Sequence, residues 1–110
     1  MTSGHGPGDW PVLDVGGEVG ALVVHLAAVP AGGELEAQPA GRPGRRFHTG
    51  VHLRPVAGHL GPVALFPEVV EGAYQVLGED HLPLAVVDVA GGRVTTLDLR
   101  GGRHTGAGWR

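Results

Sequence analysis

The feature that most constrains this fold is the spacing of its chain breakers. Short valine-rich runs alternate with glycine and proline clusters, at intervals of about 8 to 15 residues that suit the strand-and-turn spacing of a sandwich or barrel. A helix needs several uninterrupted turns of amphipathic sequence to bury one face, and no segment between the breakers supplies them. The 21 Gly and 9 Pro in 110 residues therefore read as turn formers of an all-β chain, because the recurring valine runs argue against a disordered, low-complexity one.

The chain length suits one domain, since two separate cores could not both be filled. Hydrophobic residues make up 42 % but aromatics only 5 %, so the expected interior is built from Val, Leu and Ala. Residues 1–10 and 101–110 lack a periodic apolar pattern and are expected to be flexible tails around a domain at 11–100. About seven strands are expected within it. Val19 to Val29 is an almost unbroken apolar run, which predicts a central strand covered on both faces. Glu34 to Gln38 alternates polar and apolar residues. After a basic turn at Arg42 to Arg46, the strand at Phe47 to Arg54 places Phe47, Thr49, Val51 and Leu53 on one face, with His48, Gly50, His52 and Arg54 on the other. A connection over residues 55–61 leads to Val63 to Phe66, where Pro67, lacking an N–H, is expected to end the ladder. Gly72 to Leu77 follows. Leu84 to Ala90 and Arg93 to Arg100 then predict a hairpin, with Gly91-Gly92 taking the positive φ angles of a type I′ turn. In that hairpin the pair Val89 and Val94 falls on the opposite face from Val86 with Leu97 and Leu84 with Leu99, which calls for two covered faces or a bulge after Asp88.

Gly72-x-Tyr74 at the start of a late strand resembles the tyrosine corner of Greek-key sandwiches, in which the phenol bonds to backbone a few residues upstream. With Gly17-Glu18-Val19 entering the first strand, Glu71-Gly72-Ala73-Tyr74-Gln75-Val76 later, and Val87 to Leu99 last, the layout over residues 12–100 is similar to prealbumin-like modules. These include the carboxypeptidase-regulatory-like and Cna B-type domains. The resemblance implies a Greek-key (Ig-like or prealbumin-like) sandwich and gives Tyr74, Gly72, Gly91 and Gly92 structural roles. Two departures limit it. The Pro-x-x-Gly-Ala segment of such modules is only suggested by Pro30 to Glu34. The Tyr-Arg-Gly-Ser ending of the 5-hydroxyisourate hydrolases on this fold is replaced by Thr105 to Arg110, so no catalytic residue is carried over.

All eight basic residues are Arg, a bias that resembles high-GC bacterial coding. A net charge of −3 gives no pull towards nucleic acid, and the absence of Cys excludes disulfides, thiolate zinc sites and Cys nucleophiles. Residues 1–10 have neither a basic nor an apolar leader region, and the longest apolar run is too short to span a bilayer, so a cytoplasmic protein without membrane contact is expected. Ser3, the one serine, offers no Ser-His-Asp arrangement, and no glycine pair opens a helix in the manner of a phosphate loop.

Seven His are the compositional oddity. His48 and His52 share a strand face but stand roughly 13 Å apart on a regular strand, so a copper or zinc site would need one of them and a ligand from a neighbour, with His25, His59 or His81 the candidates. The competing account is solvated surface histidine, and for His25 an imidazole bonded to a backbone carbonyl or water. From Arg42 to Arg54 four Arg and two His occur without a carboxylate, either an anion-holding patch or a solvated one balanced by Glu34 and Glu36. Trp10 and Trp109 either cap the sandwich or anchor a partner. The reading that results is a non-enzymatic binding or accessory module without a cofactor, engaging a protein, self included, through His48, Gly50, His52, Arg54, Arg45 and Arg46. Its alternatives are a His-dependent transition-metal accessory protein and a small hydrolase using His48 or His52 with Arg54.

Overall fold

A computed structural model describes residues 15–101. Seven strands follow one another: β1 (Val19–His25), β2 (Glu34–Pro39), β3 (Phe47–Val56), β4 (His59–Val70), β5 (Gly72–Leu77), β6 (Pro83–Val89) and β7 (Val94–Asp98), with a single 3-10 turn at Glu79–His81 before β6. They form one mixed sheet in the order β6-β5-β2-β3-β4-β1-β7, rolled nearly into a barrel. Every pairing is antiparallel except β1 with β7. No helix of the described residues is long and apolar enough to cross a membrane. Residues 1–10, Trp10 included, and residues 102–110, Trp109 included, lie outside the described residues.

Alternation along the strands builds the core. Leu35 and Ala37 point inwards from β2, Val51 from β3, Phe66 from β4 and Val76 from β5, and with Leu22 and Val24 of β1 they form one buried cluster. The strand β1 lies between β4 and β7, and Ala21 to Val24 are buried without alternation because both faces are covered. Val23 packs with Val63 and Leu65 on the side away from the main core. The strand is shorter than its apolar run. It ends at His25, and Val29 is exposed.

β3 joins the two halves of the sheet. Residues 47–50 pair with β2 and residues 51–56 with β4, so the strand leaves the core after Val51. Leu53, expected inside with Phe47 and Val51, is for that reason half exposed.

Three expectations about connections are corrected. β4 does not stop at Pro67 but continues to Val70, because Pro67 and Glu68 together face Ala21 in a β-bulge between the Gly20–Val69 and Leu22–Phe66 pairs. A proline there removes no ladder bond. The 55–61 connection is instead a tight hairpin, whose turn residues Ala57 (φ 48°) and Gly58 (φ 92°) both take the left-handed region that a type I′ turn requires. Gly91-Gly92 is not a hairpin. β6 pairs with β5, β7 lies parallel to β1 at the other end of the sheet order, and the glycines carry the chain across. Gly92 (φ 73°) donates its N–H to the Val19 carbonyl at 2.9 Å, while a Cβ on Gly91 would strike the Gly17 carbonyl. Close approach of two backbones, not a type I′ turn, is what this glycine pair allows.

Candidate functional site

One concave feature lies at the end of the barrel where the β2–β3 connection meets the end of β4. It begins with a ring pair. Phe47, first residue of β3, meets Tyr74 of β5 edge to face, with centroids 6.0 Å apart and planes at 67°. Such a pair adds about 0.5–1.5 kcal/mol beyond its buried area. The Tyr74 hydroxyl donates to the Val70 carbonyl at 2.7 Å, which ties the start of β5 to the end of β4 and fixes the ring.

The basic turn folds back over these rings. The Arg42 guanidinium lies 4.9 Å from the Tyr74 centroid and donates to the Ala73 carbonyl; Arg45 lies 5.3 Å from the Phe47 centroid. A side chain at Gly72 would press on the Arg42 guanidinium, so the glycine makes room for it. A guanidinium held against a ring face has less freedom than a solvated one and keeps N–H groups with which to bond an acceptor. Glu68 and Glu71, from the end of β4, complete the charged lining, with Glu71 Oε1 lying 2.7 Å from where a Cβ on Gly91 would stand. The cleft so lined is about 420 Å³, within the usual range for ligand sites, with Val19, Pro39 and the half-exposed Val70 also in its lining.

The histidine row lies elsewhere. His48, His52 and Arg54 stand on the outer face of β3, but His52 folds its ring over Gly50, so the backbone gap expected there is filled from within the chain. β3 pairs with β2 through residues 47–50 and with β4 through residues 51–56, so His48 and His52 stand beside different neighbouring strands. Arg46 turns away from the cleft towards Glu36, with Nε 3.2 Å from Oε2. Glu36 is on the outward face of β2 yet nearly buried, because Arg46 and the turn before β6 cover it. In that turn His81 Nδ1 lies 3.5 Å from Glu36 Oε1, and Asp80 and His81 are both left-handed, at φ 56° and 59°. Glu36, His48 and His81 line a second cleft of about 450 Å³.

His25 and His52 are each paired with Val63, which puts their backbones two strand spacings apart, roughly 10 Å. Among the described residues no group of three or more His, Asp or Glu is arranged to hold a metal ion.

His25 instead shares a small cleft with His59 and Arg100. Burial, together with the Arg100 guanidinium, lowers its pKa below the ordinary 6.5, against the opposing pull of Asp98. Two bonds from Arg100, at 2.9 and 2.7 Å, hold the Asp98 carboxyl far below the usual carboxylate range. The pair is exposed and contributes little to stability. The His25 shift has a definite sign. The unfolded chain takes up the proton first on acidification, so the stability contributed by the neutral imidazole is complete above pH 6.5 and declines as the pH falls from there towards the folded value. Urea midpoints at pH 7.5 and 5 should fall more for wild type than for His25→Gln. Equal falls would assign the pH dependence to other groups.

The chain matches no protein-family model, and no curated protein or solved structure is significantly similar to it. Function must therefore be argued from the cleft itself. Phe47 was legible only as a core-facing residue and Tyr74 only as a corner, and neither Glu68 nor Glu71 carried a signal. The usable signal was local: Arg42, Arg45 and Phe47 lie close in sequence on one turn.

Proposed function

We propose that this domain is a small, non-enzymatic binding module that docks a protein segment in the cleft between the β2–β3 connection and the end of β4. The observation that carries this reading is the pair of guanidinium groups stacked on Tyr74 and Phe47 at the rim of an apolar cleft. A stacked Arg has little freedom left to lose when a carboxylate arrives, so the bond it forms is opposed by less entropy than that of a mobile side chain. The lining supports binding over catalysis: its described residues include no Ser, Thr, Cys or His, and its one phenol is engaged with the Val70 carbonyl. The fold reading that accompanies it is a Greek-key sandwich of the prealbumin-like kind, supported by the Tyr74 corner bond and by a sheet whose two halves share β3.

The segment that fits presents an acidic side chain to the arginines and apolar side chains to the cleft floor. A displayed random-peptide library selected on wild type and on Arg42→Ala/Arg45→Ala provides the test. Acidic, apolar sequences should be enriched on wild type alone. Enrichment of the same sequences on both proteins, or of none on either, would overturn the assignment.

A further inference from the structure

The two walls of the cleft carry opposite charge and do not neutralise each other. Arg42 and Arg45 stand on the β2–β3 connection, Glu68 and Glu71 at the end of β4, and both pairs line the same cleft. Among the described residues the ion pairs lie elsewhere, joining Glu36 with Arg46 and His81, and Asp98 with Arg100. Val70, half exposed, lines the same cleft and is the outward one of the two valines between Glu68 and Glu71 in sequence, Val69 being buried.

We infer that the cleft is the two-fold contact of a homodimer, in which the arginine wall of each copy meets the glutamate wall of the other across Val70. This rests on the reading of the cleft as a protein-docking site and names the protein. A segment that brings an acidic group alone answers the arginine wall and leaves the glutamate wall unanswered, so full complementarity takes a cation as well as an anion. A second copy turned by half a revolution brings both by construction, because an isologous contact uses one patch twice. A basic and an acidic wall within one patch are what make it self-complementary; two wholly basic or wholly acidic rims would repel. A net charge of −3 adds little long-range repulsion between copies. The patch is smaller than a standard interface of ~800 Å² per partner, so the dimer is weak and exchanges rapidly.

Sedimentation equilibrium of the full chain tests this, with Arg45→Glu and Glu68→Arg as variants. Arg42 is left in place because it also bonds the Ala73 carbonyl. Wild type should approach twice its monomer mass with a dissociation constant on the order of 10–100 μM, weakening at least about threefold when salt rises from 0.05 to 0.5 M. Each variant alone, whose exchanged charge sets like charges at positions 45 and 68 against each other across the contact, should dimerise about tenfold or more weakly. Their equimolar mixture should regain the mass and affinity of wild type within about threefold, since the charges at positions 45 and 68 then face their opposites again. That recovery also shows both variants to be folded. Wild type that stays monomeric at about 1 mM, variants that dimerise like wild type, or a mixture that stays monomeric would each overturn the homodimer. If the peptide selection still yields arginine-dependent binders, the docking site stands and only the identity of its partner falls; failure of both removes the site.

Discussion

Gly20→Ala is expected to destabilise the domain by ~3–5 kcal/mol, although it adds a single methyl group in a strand. The added Cβ would strike the Ala90 carbonyl and come within 2.9 Å of the Arg93 carbonyl oxygen. Both are backbone atoms of the crossover between β6 and β7, so no side chain can swing aside. Moving the crossover breaks the bond from Ala21 N–H to the Arg93 carbonyl, 3.0 Å, and that from Gly92 N–H to the Val19 carbonyl, 2.9 Å. Each contributes about 1 kcal/mol, and overpacking adds about 1–3. Against the ~5–15 kcal/mol that a small domain possesses, this is a large share. Gly16→Ala is the matched control, because a Cβ there meets nothing within 4 Å and no positive φ is involved. It should leave stability within about 0.5 kcal/mol of wild type or raise it slightly. Urea titration of both variants gives the comparison, and a loss below about 1 kcal/mol at Gly20 would mean that the crossover shifts freely.

The same crossover marks the limit of what the sequence discloses. Period-2 alternation and turn residues are local properties, and they located β2 and β5 to within a residue or two. Pairing is not local. Gly91-Gly92 suits a hairpin turn and an inter-strand crossing equally well, and only the tertiary surroundings choose between them. One clue was present in the residues. Pairing Val89 with Val94 put the other apolar pairs of the supposed hairpin on the opposite face. In the structure Val87 and Val89 pack towards the core from β6, Leu97 does so from β7, and Val86 and Val94 are exposed. A register that cannot bury one consistent face is an argument against the pairing itself.

The cleft was half legible for a related reason. A run of arginines without carboxylates is visible along the chain, so the basic wall could be read at the β2–β3 turn. The acidic wall could not, because Glu68 and Glu71 reach the cleft only when β4 is carried past Pro67 by the bulge. Nor does sequence show which arginine is already engaged: Arg46 is held by Glu36, while its neighbour Arg45 stacks on Phe47. Alternating residues of an extended segment point to opposite sides, and here that alternation gives adjacent arginines different partners.

Tyr74 has two separable parts, and substitutions should separate their effects. The hydroxyl bonds the Val70 carbonyl, and the ring, 2 % exposed, supports both Phe47 and Arg42. Tyr74→Phe removes the hydroxyl alone. It leaves the carbonyl without its donor and should cost ~1–2 kcal/mol of stability, while the ring still orders Arg42, so affinity for a selected peptide should stay within about twofold. Tyr74→Ala removes the ring as well. The cavity that results should cost ~3–5 kcal/mol, and with no aromatic face beneath it Arg42 should lose about 0.5–1 kcal/mol of orienting interaction, read as peptide binding weaker by about two- to fivefold. Urea titration measures the first quantity. Fluorescence polarisation of a labelled peptide, at a temperature where the Ala variant remains folded by circular dichroism, measures the second. A Phe variant as stable as wild type would show that the corner bond contributes nothing to the fold. A folded Ala variant that binds as tightly as wild type would show that the rings do not order the arginines, and the cleft would then lose the preorganisation on which its role as a docking site depends.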